Sequence, residues 1–195
     1  IRTKKCLIDI NFDAGIQSFT IGMGATNLAE RICSSIIHIP GIRGTPERAY
    51  RISASDTRFA GSFEPYVASI IHNLKNSNTA DNKIKFTELL TDINRLGLGS
   101  QLAAKKINDT QIEIKISRLI GAGLNNLVDI ADVGFGVTQV LPILVALVIA
   151  KKGQIIYIEQ PELHLHPRAQ YELASVIAKA VNRGVFVIIE THSSI

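Results

Sequence analysis

A carboxylate and a histidine stand where a sheet would deliver them together. Ile155-Ile156-Tyr157-Ile158 runs into Glu159-Gln160-Pro161-Glu162, and the apolar run 185–189 runs into Glu190-Thr191-His192-Ser193. If both runs are strands of an open α/β sheet, their carboxyl ends face the ligand crevice. An acid at such an end suits Mg²⁺ beside phosphates, because this hard cation takes one or two carboxylates with phosphate oxygens. Upstream, Gly134-Phe135-Gly136 opens an apolar helix. Free N–H groups and the positive helix end favour an anion there, and glycines admit close backbone approach. Taken alone, such a turn is more simply a helix entry. The order of the three features is what points to phosphate chemistry.

The elements that must position these residues are legible in the third stretch of the chain, residues 127–195. Residues 127–130 read as a short strand, and residues 137–150 as an apolar helix with Pro142 in its second turn. The run 155–158 is apolar at every position, as a central parallel strand should be. Pro167 opens a helix over 168–182 whose stripe is Leu173, Val176, Ile177 and Ala180, with Gly184 at its C-terminal cap. Strand, helix and strand without a hairpin signal make a βαβ crossover in a parallel sheet. The middle stretch, about 64–126, has Val67, Ile70, Ile71 and Leu74 at helical spacing, as are Phe86, Leu89, Leu90, Ile93 and Leu96. Residues 111–116 alternate as a half-buried strand, so this stretch reads as a mixed, mostly helical lobe. In the first stretch, residues 6–12 and 18–21 read as strands around a turn at 13–15. Residues 36–39 form an apolar strand stopped by Pro40-Gly41, and the loop Arg43-Gly44-Thr45-Pro46-Glu47-Arg48 follows.

Composition narrows the function classes. The chain has 195 residues, 46% hydrophobic and 19% charged, which describes one globular domain and excludes a disordered one. The apolar run 140–150 is far shorter than the roughly 20 residues of a membrane span. The opening shows no basic-apolar leader, and the expectation is a cytoplasmic protein with no membrane partner. A net charge of +4 permits an anionic partner without requiring one. The two cysteines, Cys6 and Cys33, form no metal or redox pair and read as free thiols. Trp is absent and aromatics are 6%, which disfavours a base-stacking platform. Arg43 and Arg48 read first as a solvated loop and second as a phosphate or nucleic-acid contact. Lys105-Lys106 and Lys151-Lys152 read as exposed faces. Glu162, His164 and His166 have zinc-type chemistry, but only two histidines are local, and a structural metal is the weaker reading.

The order and spacing of these motifs resemble the ABC-type ATPase superfamily. The wording Gly-Phe-Gly-Val-Thr-Gln-Val-Leu-Pro from Gly134, Ile-Glu-Gln-Pro-Glu-Leu-His-Leu-His-Pro from Ile158, and Glu-Thr-His-Ser from Glu190 is similar to a narrower branch. That branch comprises soluble SMC/RecF-like bacterial AAA-family ATPases related to overcoming-lysogenisation nucleases, and the loop 39–48 is similar to it as well. The resemblance is close over 133–195 and fair over 36–50. It implies an α/β, P-loop NTPase fold with a mainly parallel sheet, flanking helices and an inserted, mostly helical lobe. The whole of 1–195 would be one partial ABC-type domain.

The resemblance also assigns roles. Glu159 would be the Walker B acid that holds Mg²⁺. Gln160 stands where many relatives carry the catalytic carboxylate, and a glutamine orients water but takes no proton. Glu162 would compensate, and His192 would contact the γ-phosphate. Gly134 and Gly136, with Thr138 and Gln139 adding donors, would meet the γ-phosphate of ATP held by a second subunit. His166 falls in the loop that crosses that interface. The phosphate cradle of this family, Gly-x-x-x-x-Gly-Lys-Ser/Thr, is not in the sequence, and Gly22-Met23-Gly24-Ala25-Thr26-Asn27 lacks its lysine. The expectation is a chain that starts downstream of the P-loop. The function implied is Mg²⁺-dependent ATP binding and hydrolysis, used as a dimerisation switch that drives a partner or attached effector. One alternative is an ATP-gated interaction module with little hydrolysis, because of Gln160. Another is the ATPase subunit of a DNA repair or phage-defence nuclease system.

Overall fold

A computed structural model of the chain describes residues 2–4, 7–14, 17–21, 35–54, 59, 61–117 and 126–193. Strands β1 (Arg2–Lys4), β2 (Leu7–Ala14) and β3 (Gln17–Ile21) form an antiparallel sheet in the order β1-β2-β3. Asp13 and Ala14 were expected in a turn. They belong instead to β2, opposite Ser18 and Gln17. Cys6, Cys33 and residues 22–27 lie outside the described residues.

Strand β4 (Ile37–Ile39) follows, then β5 (Tyr50–Arg51), helix α1 (Glu64–Asn76) and helix α2 (Ala80–Arg95). Pro65 sits in the first turn of α1, where a missing N–H costs nothing. Thr79 caps α2 by accepting from Asn82 N at 3.4 Å. Helix α1 buries the whole stripe read from spacing, Val67, Ile70, Ile71 and Leu74; of the second stripe, Leu89 and Ile93 are buried in α2, Phe86 and Leu90 are half-buried, and Leu96 is buried just past the helix end. The strand expected at 111–116 is β7 (Gln111–Ser117), and its hairpin partner β6 (Gln101–Asn108) was not anticipated. Leu102 and Ala104 alternate inward, but Lys105 and Lys106 break the pattern half way along, so no clean period shows. With β5 and β8 (Leu127–Asp129) pairing the other edge of β7, these strands make a four-stranded antiparallel sheet. The middle stretch is therefore mixed, with two helices set against two strands of this sheet.

A 3₁₀ turn (Ile130–Asp132) leads to α3 (Phe135–Ile149), which starts two residues earlier than its apolar pattern suggested. The cap is Gly134 itself, Gly136 lies within the first turn, and Pro142 falls half way along the helix. Every residue from Gln139 to Val148 is buried. A helix apolar all round must be packed all round, and α3 contacts α1, α2, α4 (Pro167–Asn182), β4 and β9 (Ile155–Glu159). Strand β10 (Phe186–Glu190) completes a parallel sheet in the order β10-β9-β4. The strand apolar at every position is thus the central one. The parallel sheet holds three of the described strands, and the others are antiparallel, so "mainly parallel" overstated it.

Helix α4 docks on α2 through a charged seam. Asp92, only 2% exposed, receives Lys179 Nζ at 2.8 and 2.9 Å, and Glu88 receives Lys179 at 3.0 Å and Arg183 at 2.7 Å. Gly184, at φ +86, closes α4 in the left-handed conformation that glycine adopts without a Cβ clash. Among the described residues no helix is long and apolar enough to cross a membrane.

Candidate functional site at the strand ends

The carboxyl ends of the three parallel strands lie side by side. Register sets His38 beside Tyr157, Ile39 beside Ile158 and Glu190 beside Glu159. Glu159, the last residue of β9, has both carboxylate oxygens engaged from the β4 side. His38 Nε2 lies 2.9 Å from Oε1, and Gly41 N–H donates to Oε2 at 2.9 Å. The His38 ring stacks on Tyr157 at 5.3 Å, and Tyr157 Oη donates to Glu190 at 2.8 Å, which fixes the imidazole against Glu159. The Gly41 N–H, then His38, hold the Glu159 carboxyl below the usual carboxylate range, against the opposing effect of partial burial. Glu159 is ionised at neutral pH, and its side chain keeps 29% exposure.

Gln160 turns the chain at φ +43, a left-handed conformation that costs a non-glycine residue roughly 1–2 kcal/mol. Its N–H donates to Glu190 O at 2.7 Å. A Cβ at Gly41 would meet Gln160 Oε1 at 3.0 Å and Glu159 Cβ at 3.5 Å, so any larger residue there would press on the Gln160 side chain. Strain of this kind concentrates at working sites, where the surroundings over-determine it. No reading of composition or period reveals it.

Arg43 is not solvated. It is 6% exposed, and its Nη2 donates to the carbonyls of Glu159 at 2.7 Å and Gln160 at 3.3 Å. Burial pulls its pKa down, while Glu64, Glu162 and Glu159 pull it up. Arg48, in contrast, is exposed and forks onto Asp132 at 2.6 and 3.0 Å, tying the loop to the approach to α3.

Glu162 Oε1 accepts the backbone N–H of His192 at 3.1 Å. Burial raises the Glu162 pKa. Its own N–H, the Thr191 hydroxyl and the N–H groups of His192 and Ser193 outweigh that, and the net shift is downward. A carboxylate held ionised by donors is a weak base. In this geometry Glu162 clamps the β9 end to the β10 end, and His192 presents an exposed imidazole beside it.

The glycine turn rests on the segment after β9. A Cβ at Gly136 would meet His164 O at 2.8 Å, and the Phe135 ring lies 5.9 Å from the His164 ring. Gly134 is exposed and has open space around it. Thr138 Oγ1 donates to Phe135 O at 2.9 Å. Gln139 points inward: it is 4% exposed, and its Nε2 donates to the carbonyls of Arg43 at 3.4 Å and Gly44 at 3.5 Å. It was expected to offer donors to a phosphate, and its side chain instead holds the Arg43 loop. His166 caps α4, accepting from Arg168 N at 3.3 Å. Among the described residues no group of three or more His, Cys, Asp or Glu side chains is arranged to hold a metal alone. The structure thus brings Glu159, Gln160, Glu162 and His192 to one end of the sheet. It joins Gly134 and Gly136 to them through residues 161–165 and the Arg43 loop. The partners His38, Gly41 and Arg43 were missed, although the β4 strand and its Pro40-Gly41 stop were visible.

Residues 48–195 match the AAA ATPase domain family, and the chain belongs to it. No curated protein matches the chain. Membership implies ATP binding and hydrolysis with Mg²⁺. The match takes in α1 through β10 and every residue of the glycine turn and the two strand ends, and it begins after Arg43.

Proposed function

We propose that the chain is the signature, Walker B and switch-histidine part of an ABC-type, SMC/RecF-like ATPase in which ATP closes two subunits head to tail. The observation that carries this is Glu159: an ionised, part-exposed acid at the end of the central parallel strand, one residue from Gln160 and across the sheet from the Thr191-His192 turn. An oxygen donor of this kind fits Mg²⁺, which takes few protein ligands and completes its shell with water and phosphate oxygens. When bound, Mg²⁺ neutralises charge developing on the transferred phosphoryl group. The residues of this chain do the rest by position. Gln160 orients water without accepting a proton, His192 faces the same space, and Gly134 and Gly136 leave backbone N–H groups open toward a second subunit. The 195 residues contain no Gly-x-x-x-x-Gly-Lys-Ser/Thr, so the principal phosphate cradle is supplied from outside them. The partner is a second copy, and ATP binding reads out as dimerisation that moves an effector.

A slow-hydrolysis reading has its own support: Gln160 is an amide, and Glu162 is tied to the His192 backbone. One experiment separates the two. Full-length protein is assayed for Mg²⁺-dependent ATP turnover and, by light scattering, for ATP-dependent dimerisation. Glu159→Gln should lose turnover by about a hundredfold or more. For Gln160→Glu, little change supports Gln160 as native to hydrolysis, and a large rise supports the slow, gated module. Absence of ATP-dependent dimerisation in the parent protein overturns the switch.

A further inference from the structure

We propose that Arg43 is a positioning residue that carries the state of the α3 glycine turn to the Glu159–Gln160 backbone, with Gln139 as the link between them. The inference rests on the ATPase reading above and adds a connection within it. Gln139 belongs to the first turns of α3, just after Gly136, and its amide reaches the carbonyls of Arg43 and Gly44. Arg43 in turn grips the carbonyls of Glu159 and Gln160. From the same loop, Gly41 N–H grips the Glu159 carboxylate. One short segment therefore holds the first turns of the helix at one end and both residues of the hydrolytic bend at the other.

Stability does not account for this arginine. A buried guanidinium is costly, and apolar replacements of buried charge are often neutral or better. Arg43 Nε and Nη1 find no acceptor among the described residues, which adds to the cost. What its remaining nitrogen does is hold the two carbonyls that flank the left-handed bend at Gln160, whose N–H is held from the other side by Glu190. The two N–H groups of that one nitrogen lie in the guanidinium plane, at fixed directions that a rotating lysine ammonium does not hold. A cavity of about 510 Å³ opens beside the loop, lined in part by Arg43, Glu64 and Thr138. The unpartnered atoms of Arg43 and Glu64 are sealed from solvent, so the cavity does not present them to a ligand. An anion that draws in the backbone of residues 134–136 would pull on Gln139 and reset the bend that orients Gln160.

The test uses full-length protein, Arg43→Lys and Gln139→Met, with Gln139→Asn as a second variant if Met at 139 does not fold. Hydrogen exchange is followed in nucleotide-free protein at the amides of Gln160 and Leu163, which bond to Glu190 O and Gln160 O. Exchange about tenfold faster there in both the Arg43 and Gln139 variants, with α1 and α2 unchanged, is the expected result. In steady-state turnover, each variant should lose about tenfold in kcat with KM for ATP held within about twofold, and the double variant should be no worse than Arg43→Lys. Unchanged exchange at 160 and 163 in the Gln139 variants overturns the proposal, as do additive kcat losses. If the parent protein shows no turnover, the ATPase reading fails while the exchange result still decides the link.

Discussion

Gln160 concentrates the chemistry of this site at the scale of one residue. Its side chain is an amide, which takes no proton, and its backbone is held in a conformation that L residues rarely adopt. Arg43 from one side and Glu190 from the other keep it there, so its φ is imposed by tertiary contacts. Gln160→Gly separates strain from function. It relieves the left-handed cost while loosening the unfolded chain. Stability by urea unfolding should stay level or rise by up to about 1 kcal/mol, while ATP turnover falls. A loss of both would mean that the side chain holds the fold, not the water.

At the scale of elements, the two glycines of the turn have different reasons to be glycine. Gly136 is packed: a Cβ there would meet His164 O at 2.8 Å, and a backbone carbonyl does not move aside cheaply. Gly134 is unobstructed, so only an external group would need its bare backbone. Gly136→Ala should destabilise the protein by about 1–3 kcal/mol, as overpacking does. Gly134→Ala should cost no more than about 1 kcal/mol, as alanine does at a helix N-cap, and weaken ATP-dependent dimerisation, measured by light scattering. If Gly134→Ala dimerises normally, the trans role of the turn is lost and Gly134 is simply a helix cap.

At the scale of the whole molecule, one apolar cluster runs from β4 through α1, α2, β6, β7 and α3 to α4, so the middle stretch and the strand-end core share an interior. The α2–α4 seam is its charged closure. Burial raises the Asp92 pKa above the ordinary value, and Lys179 only partly offsets this. The native state therefore holds the Asp92 proton more tightly than the unfolded chain does. The corresponding stability is present at low pH and is lost as pH rises from the unfolded value, about 3.9, through the native one. At neutral pH Lys179 compensates the charge. Lys179→Met should destabilise by about 2–3 kcal/mol near pH 7, because it leaves Asp92 buried and unpaired beside Glu88. The loss should shrink as pH falls and Asp92 takes its proton. A loss independent of pH would place the effect in packing by the lysine stem instead.

Periodicity alone determined the amphipathic helices α1, α2 and α4, the fully apolar strand β9 and the crossover to β10. These rest on local patterns of hydrophobic spacing, caps and turns that a chain carries with it wherever it folds. The same patterns put Glu159, Gln160, Glu162 and His192 at strand ends, so their gathering at one end of the sheet was legible. Strand β6 was not, because its inward alternation lasts only through Leu102 and Ala104 before two lysines interrupt it. Nor was the burial of Arg43, since a basic residue in a Gly-Pro loop reads as solvated until the loop folds over β9. Tertiary structure alone decided that His38 and Gly41 would charge Glu159, that Arg43 would hold the bend at Gln160, and that Gln139 would turn inward to hold Arg43. Those contacts join residues separated by about a hundred positions or more. No local propensity encodes such a meeting; it follows only when the parallel sheet sets β4 beside β9 and the packing of α3 closes the loop against both.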